Sequence, residues 1–189
     1  MELFRNIRLK IAHSRLCRKS SKLRRKVAIR NLNSIKSIGI VWDASKQEDF
    51  PVLVRFYQNM MERNTAVTIL GYFPGAVLPD KYTALRYFTC IKKPELDFFF
   101  TPKSKDADTF IQQTFDMLID INFEKVFPLF YVTTLSNASL KVGLTCPDAE
   151  TAPFDLMIDI RKPVNVGKYL DEVIHYLNLI NSEPVKTAV

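Results

Sequence analysis

Blocks of apolar residues recur along the chain with two different spacings. "SIGIVWDA" at 37–44 is short, continuous and rich in β-branched and aromatic residues, which predicts a strand. In "DFPVLVRFYQNMMERN", which follows, Phe50, Leu53, Val54, Tyr57 and Met61 share one face of a helix. Asp49 suits its cap and Pro51 its first turn. "AVTILGYF" at 66–73 is strand-like again. Strand, helix and strand within about thirty-five residues is the size of a parallel crossover unit.

The pattern continues to the end of the chain. "LRYFTCI" at 85–91 predicts a third strand, and "KKPELDFFFTPKS" a loop with a short extended piece. "DADTFIQQTF" reads as a short helix behind cap-competent aspartates. "FDMLIDI" at 115–121 is a strand, and "FDLMIDI" at 154–160 nearly repeats it. Between them lie a helix, "FPLFYVTTLSN", weakened by Val132, Thr133 and Thr134, and a strand, "LKVGL". "VNVGKYLDEVIHYLNLIN" closes as an amphipathic helix buried on Leu170, Val173, Ile174 and Leu177. The expected fold is α/β: one Rossmann-like, mostly parallel sheet of five or six strands, with helices on both faces. Residues 37–181 form this domain, after a basic helical arm at 1–36 and before a C-terminal tail at 182–189.

Near-continuous apolar strands are those covered on both faces, so both repeats are expected in the centre of the sheet. Each then reaches an aspartate at its end. Asp43, Asp120 and Asp159 are therefore placed at the carboxyl edge, where open α/β sheets bind ligands. They are candidates for a cluster that holds Mg²⁺ or acts as acid and base, with Lys92 or Lys103 and Ser136 as helpers. The plain alternative is that each caps a helix or pairs with a nearby cation. Asp116 and Asp155 fall at the opposite strand ends and read as turn residues.

Absent motifs narrow the chemistry. The loop after the first strand, "DASKQEDFP", carries acids and no glycine, so it repels a pyrophosphate. There is no Gly-Lys-Ser/Thr phosphate loop and no Gly-x-Ser-x-Gly elbow. Dehydrogenases, nucleotide triphosphatases and α/β-hydrolases are disfavoured. His175 is read as a partly exposed helix residue, and His13 belongs to the arm.

Charge changes the picture at the N-terminus. Residues 1–36 hold twelve Lys or Arg against Glu2, a net of +11, and the remaining 153 residues carry −4. Residues 3–32 contain neither Gly nor Pro, so helix is allowed throughout. Phe4, Ile7 and Ile11 recur at helical spacing, and so do Leu23 and Val27, giving two helical pieces or one long one. Three readings of the arm stand: a solvated helix on the body, a phosphate-binding arm, or attachment to an anionic bilayer. The candidate polyanion-binding residues are Arg15, Arg18, Lys19, Lys22, Arg24, Arg25 and Lys26. Lys92, Lys93 and Lys103 around Phe98, Phe99 and Phe100 form a secondary basic loop.

Cys17, Cys90 and Cys146 are few and scattered, which predicts reduced thiols, a cytoplasmic home and no zinc site. No apolar run approaches the roughly 20 residues of a spanning helix, and no secretory signal is expected.

"SIGIVWDA", "KKPELDFFFTPKS", "FDMLIDI", "LSNASLKVG" and "FDLMIDI", in that order, resemble a family of small uncharacterised bacterial α/β proteins with a basic N-terminal helix. The resemblance covers nearly the whole chain and implies the fold without an activity. Residues 115–143 are also similar to part of the N-terminal half of heptosyltransferase-type glycosyltransferases, where a strand ending in Ile-Asp leads to a helix and a short strand ending in Gly. Those enzymes hold the nucleotide sugar with a second Rossmann half, for which this chain has no room.

The resulting expectation is a non-enzymatic cytoplasmic accessory protein, without a cofactor, whose arm binds a polyanion. Structured RNA stands slightly ahead of an anionic membrane surface, the latter implying a location peripheral to the inner membrane. The alternative is a small-molecule enzyme or binding domain, glycosyltransferase-like, working at the aspartate edge.

Overall fold

The strand at 37–43, β1 (Ser37–Asp43), lies inside a six-stranded sheet. A computed structural model describes residues 2–83, 85–145 and 152–180 of the chain. On one side of β1 are β2 (Ala66–Phe73) and β3 (Phe88–Lys92). On the other are β4 (Met117–Asp120), β5 (Leu140–Leu144) and β6 (Leu156–Ile158). All pairings are parallel, in the order β3-β2-β1-β4-β5-β6. This is the expected Rossmann-like α/β sheet. Its order reverses between β1 and β4, which is the position where such sheets form a crevice.

Period-two alternation divides β1 between two cores. Ile38, Ile40 and Trp42 face α2 (Phe50–Glu62) and α6 (Val166–Leu179). Val41 faces α4 (Lys105–Gln112) and α5 (Phe127–Leu135). A one-turn helix, α3 (Asp80–Thr83), adds Tyr82 to the first core. The buried stripe of α2 is Leu53, Phe56 and Met60, so Met61, expected inside, is exposed. In α6 the expected Leu170, Val173 and Leu177 are buried, with Val166 and Tyr169 added and Ile174 only half-buried.

The arm is one helix, α1 (Glu2–Ser20), followed by an extended run. A second helical piece around Leu23 and Val27 does not form. Instead, the Ala28 N–H donates to the Ser139 carbonyl, and Arg25 and Arg30 pair with Asp155 and Asp116. With almost no apolar face to bury, residues 21–31 gain more from these partners than from a helix. α1 itself seats Ala12 and Leu16 on Phe127 and Tyr131 of α5. His13 packs edge-on to Phe127 at 5.0 Å. The basic arm and the phenylalanine loop prove to be partners: Arg8 lies 4.2 Å over both Phe98 and Phe100, and Arg15 3.9 Å over Phe99. Phe100 adopts φ 59°, and the loop is held by Asp97, which accepts from the N–H groups of Phe99 (2.8 Å) and Thr101 (2.9 Å).

The duplicated strand has a structural origin. Asp116 Oδ2 accepts from the N–H groups of Lys36 (2.8 Å) and Ser37 (3.1 Å), while Oδ1 takes Arg30 (2.7 Å). Asp155 Oδ2 accepts from the Lys141 N–H (2.8 Å), and Oδ1 takes Arg25. Each aspartate thus latches the start of the neighbouring strand to an arginine of the arm, a larger task than a turn. The phenylalanine before each covers a glycine on that neighbour. A Cβ on Gly39 would stand 2.9 Å from Phe115, and one on Gly143 would collide with Phe154. The two strands are parallel but separated by β5. Only β4 is central and fully buried; β6 is the half-buried edge, contrary to the expectation of two central strands.

Candidate functional site

The carboxyl edge is built where β1 and β4 diverge. Asn122, just past β4, ties the two ends together. Its Oδ1 accepts from the Asp43 N–H (2.7 Å), and its Nδ2 donates to the Val41 carbonyl (3.1 Å) and to Asp120 Oδ1 (2.7 Å). Asp120 is 7% exposed and also accepts from Thr133 Oγ1 (2.9 Å). Burial pushes its carboxyl up from the ordinary range, against the opposing hydrogen bonds of Asn122 and Thr133. Asp43 turns to its own loop, where its Oδ1 accepts from the Ser45 N–H (3.1 Å) and hydroxyl (2.7 Å).

The three strand-end aspartates therefore do not form one constellation. Asp159 is exposed just beyond β6, two strand spacings or about 10 Å across the sheet from β4. Among the described residues no three His, Cys, Asp or Glu side chains converge to hold a metal ion. Nor are the expected helpers nearby. Ser136 is buried after the last turn of α5, at the opposite edge of the sheet, and accepts from the Ala138 N–H (3.2 Å). Lys92 ends β3, two strands from β1, and stands 3.8 Å from Glu95. Lys103 is exposed before α4.

A cleft of about 290 Å³ does open at the switch point. Trp42 and Asp43 line it from β1, Asn122, Phe123 and Glu124 from the turn after β4, and Glu48 and Asp49 from the start of α2. Val164 and Asn165, ahead of α6, close it, and Lys46 is its only basic lining residue. Burial raises the Asp49 carboxyl from its ordinary range and Glu48 adds to the effect, while a hydrogen bond donated by the Trp42 indole opposes it. Asp49 stands at the N-cap of α2 without making a capping bond. The buried Tyr169 OH is left without a hydrogen-bond partner among the described residues, and the buried Trp42 indole N–H has the Asp49 carboxylate beside it. Trp42 is 1% exposed and lines the cleft. Tyr169 meets the cleft residue Phe123 edge-on at 6.5 Å, and burial together with Asp120 holds its hydroxyl protonated. Sequence reasoning found the edge but missed Trp42, Glu48, Asp49 and Glu124 as its lining; the acidic, glycine-free loop after β1 is a signal for Glu48 and Asp49 alone.

The cationic residues split into two groups. Arg15 lies on Phe99, Lys19 donates to Tyr131 OH (2.7 Å), and Arg25 pairs with Asp155 and the Ala138 carbonyl. These three are used by the body. Arg18, Lys22, Arg24 and Lys26 are exposed, as are Arg5 and Lys10. In the secondary loop Lys93 and Lys103 are exposed, and α1 arginines stack on the aromatic rings between them, of which Phe98 stays 64% exposed. Lys141 is a buried cation that sequence reasoning missed. It is 2% exposed, donates to the Thr134 carbonyl (2.8 Å), and burial aided by Arg25 pulls its pKa to about 7. Of the cysteines, Cys17 is exposed, and burial pushes the Cys90 thiol up to about 12, leaving it inert. Cys146 and the tail at 182–189 lie outside the described residues.

Residues 8–180 match the model of DUF6913, a family of unknown function. The chain belongs to that family. The match takes in most of α1 as well as the sheet. No curated protein and no solved structure matches the chain, so the likeness to heptosyltransferases gains no support. Among the described residues no helix is long and apolar enough to cross a membrane.

Proposed function

We infer that the protein is an accessory protein that attaches peripherally to an anionic membrane surface through the outer side of α1. The observation that carries this reading is an uncovered apolar stripe. At about 100° per residue, Leu3, Phe4, Ile7 and Ile11 share a sector of about 100° whose centre is turned about 145° from that of Ala12 and Leu16, which face the body. Their exposures are 72%, 74%, 48% and 39%. Lys10 borders the stripe, Arg18 extends its line two turns beyond Ile11, and Lys22, Arg24 and Lys26 continue the positive charge past the helix. An interfacial helix needs this pair of signals: apolar side chains to enter the acyl boundary and cations to meet lipid phosphates. Each cation near such a surface contributes about 1 kcal/mol.

RNA, the other polyanion, gains nothing from an exposed Leu-Phe-Ile stripe, because phosphate contacts need only the charges. Three of the seven expected phosphate-binding residues are also used internally. The glycosyltransferase-like alternative loses its trio of aspartates and keeps only the fold, which by itself assigns no activity.

The test is co-sedimentation of the intact chain with phosphatidylglycerol-containing and pure phosphatidylcholine vesicles across a salt series. Binding to the anionic vesicles is expected, weakening with salt and lost in Phe4→Ser/Ile7→Ser, which keeps every charge. If that variant binds as well as the parent while Lys22→Gln/Arg24→Gln abolishes binding to bulk RNA, the arm is an RNA arm. Binding to neither partner ends the polyanion reading.

A further inference from the structure

We propose that the pocket beneath the end of α1, between the last turn of α5 and the start of β5, binds a small oxyanion, the phosphate or sulfate group of a compact soluble molecule, on Lys141 and Arg25. The site is independent of the membrane reading, since neither the apolar stripe of α1 nor any exposed cation of the arm lines it.

The sign of the ligand follows from the charges that meet there. Lys141 from β5 and Arg25 from the arm line the pocket against one acid, Asp155. Both oxygens of Asp155 are spent. Oδ1 pairs with Arg25, and Oδ2 accepts from the Lys141 backbone N–H (2.8 Å). The Lys141 amine therefore has no carboxylate of its own among the described residues. It is buried, and of the three donors of its ammonium form one is used there, on the Thr134 carbonyl (2.8 Å). A buried cation in this condition either loses its proton or takes an anion from solution. Burial first and Arg25 second bring the amine down to about 7, with Asp155 opposing, so an arriving anion restores the charged form.

The surroundings leave these cations as the donors. The last turns of α1 and α5 end at the pocket, and their carbonyls alone would favour a cation. Those of α1 are already met: the Cys17, Lys19 and Ser20 carbonyls accept from the N–H groups of Ser21, Lys22 and Leu23, and that of Arg18 from the Ser21 hydroxyl. On α5 the Val132 carbonyl accepts from the Ser136 N–H, and Thr134 from Lys141 itself. At about 380 Å³ the pocket has room for a tetrahedral oxyanion and a short body against Leu23, Pro153 and Phe154. Ammonium and guanidinium donors make their strongest hydrogen bonds to such oxygens.

The test is calorimetric titration of the full-length protein with inorganic sulfate and inorganic phosphate, in chloride at constant ionic strength. Saturable binding below about 10 mM is expected for both. Sulfate keeps its charge throughout, and so do Arg25 and Asp155, so its pH dependence reports Lys141. Sulfate affinity should fall by about tenfold or more between pH 6.5 and 8.5, as the amine loses its proton. Lys141→Met should weaken binding by about tenfold or more, and Lys168→Gln, an exposed control on α6 across the sheet, should leave it unchanged. Circular dichroism checks that both variants are folded. Co-sedimentation with phosphatidylglycerol vesicles separates a soluble anion from a lipid headgroup: Lys141→Met should sediment like the parent, and loss of sedimentation would overturn the soluble source. No saturable binding of either anion, a sulfate affinity independent of pH, or equal affinity in the folded methionine variant overturns the proposal.

Discussion

Replacing Lys141 with methionine should stabilise the protein near neutral pH, and the gain should shrink as pH rises. Lys141 lies on β5, 2% exposed, with its amine on the Thr134 carbonyl and close to Arg25. Lowering its pKa from 10.5 to about 7 means that the fold disfavours the ammonium form. At about 1.4 kcal/mol per pH decade the full difference is about 5 kcal/mol. The unfolded chain binds the extra proton between those two values, so the penalty is fully present below pH 7 and disappears as pH climbs to 10.5. Methionine has a similar reach and no charge to desolvate, and its cost is the lost hydrogen bond, about 1 kcal/mol. The expected net gain at pH 7 is about 3 kcal/mol, of which about 2 kcal/mol should be gone by pH 9. Urea unfolding of both proteins at half-unit steps from pH 7 to 9 measures this. The comparison cancels the titration of Cys90 and the tyrosines, which both proteins share. A difference that is independent of pH, or a destabilised methionine variant at pH 7, would refute the buried-ammonium account.

Two further outcomes follow from the arm's attachments. Asp116→Ala leaves the Lys36 and Ser37 N–H groups without their acceptor and should cost about 2–4 kcal/mol in urea unfolding. Arg30→Gln, which removes only the half-exposed partner, should cost under about 1 kcal/mol; equal losses in the two would contradict the latch. The docked His13 has its pKa lowered from 6.5, by burial first and Lys125 second. A released α1 therefore binds the proton more readily, so docking is intact above pH 6.5 and weakens as pH falls below it. Hydrogen exchange of α1 amides should rise between pH 7.5 and 5.5 after correction for intrinsic rates, and His13→Gln should flatten that dependence; an unchanged profile would dismiss the histidine.

What periodicity reports is local, and the fold was legible where local pattern decided it. β1, β2, β4 and β5 are apolar on both faces because helices cover both, so their runs stand out at once. β6 shares its sequence with β4 but not its burial, because only position in the sheet separates a central strand from an edge. The extended run after α1 was not legible at all. Arg25 and Arg30 find their partners 130 and 86 residues away, and no window along the chain sees that far. The strand-end aspartates were placed at the correct edge, yet their separation depended on the lateral order of the strands. Glu48, Asp49 and Glu124 converge for the same reason, since β1 and β4 are adjacent only after the chain has crossed back over the sheet.

The charge partition of the sequence becomes a polarity of the folded surface. Of the cations in the arm, Arg8, Arg15, Lys19, Arg25 and Arg30 are bound to the body, so they hold the arm in place and have little left for a partner. Arg5, Lys10, Arg18, Lys22, Arg24, Lys26 and Lys36 remain outside, while Asp43, Glu48, Asp49 and Glu124 line the switch-point cleft. An anionic bilayer attracts these uncommitted cations, so the salt dependence of attachment should follow them rather than all twelve cations of the arm.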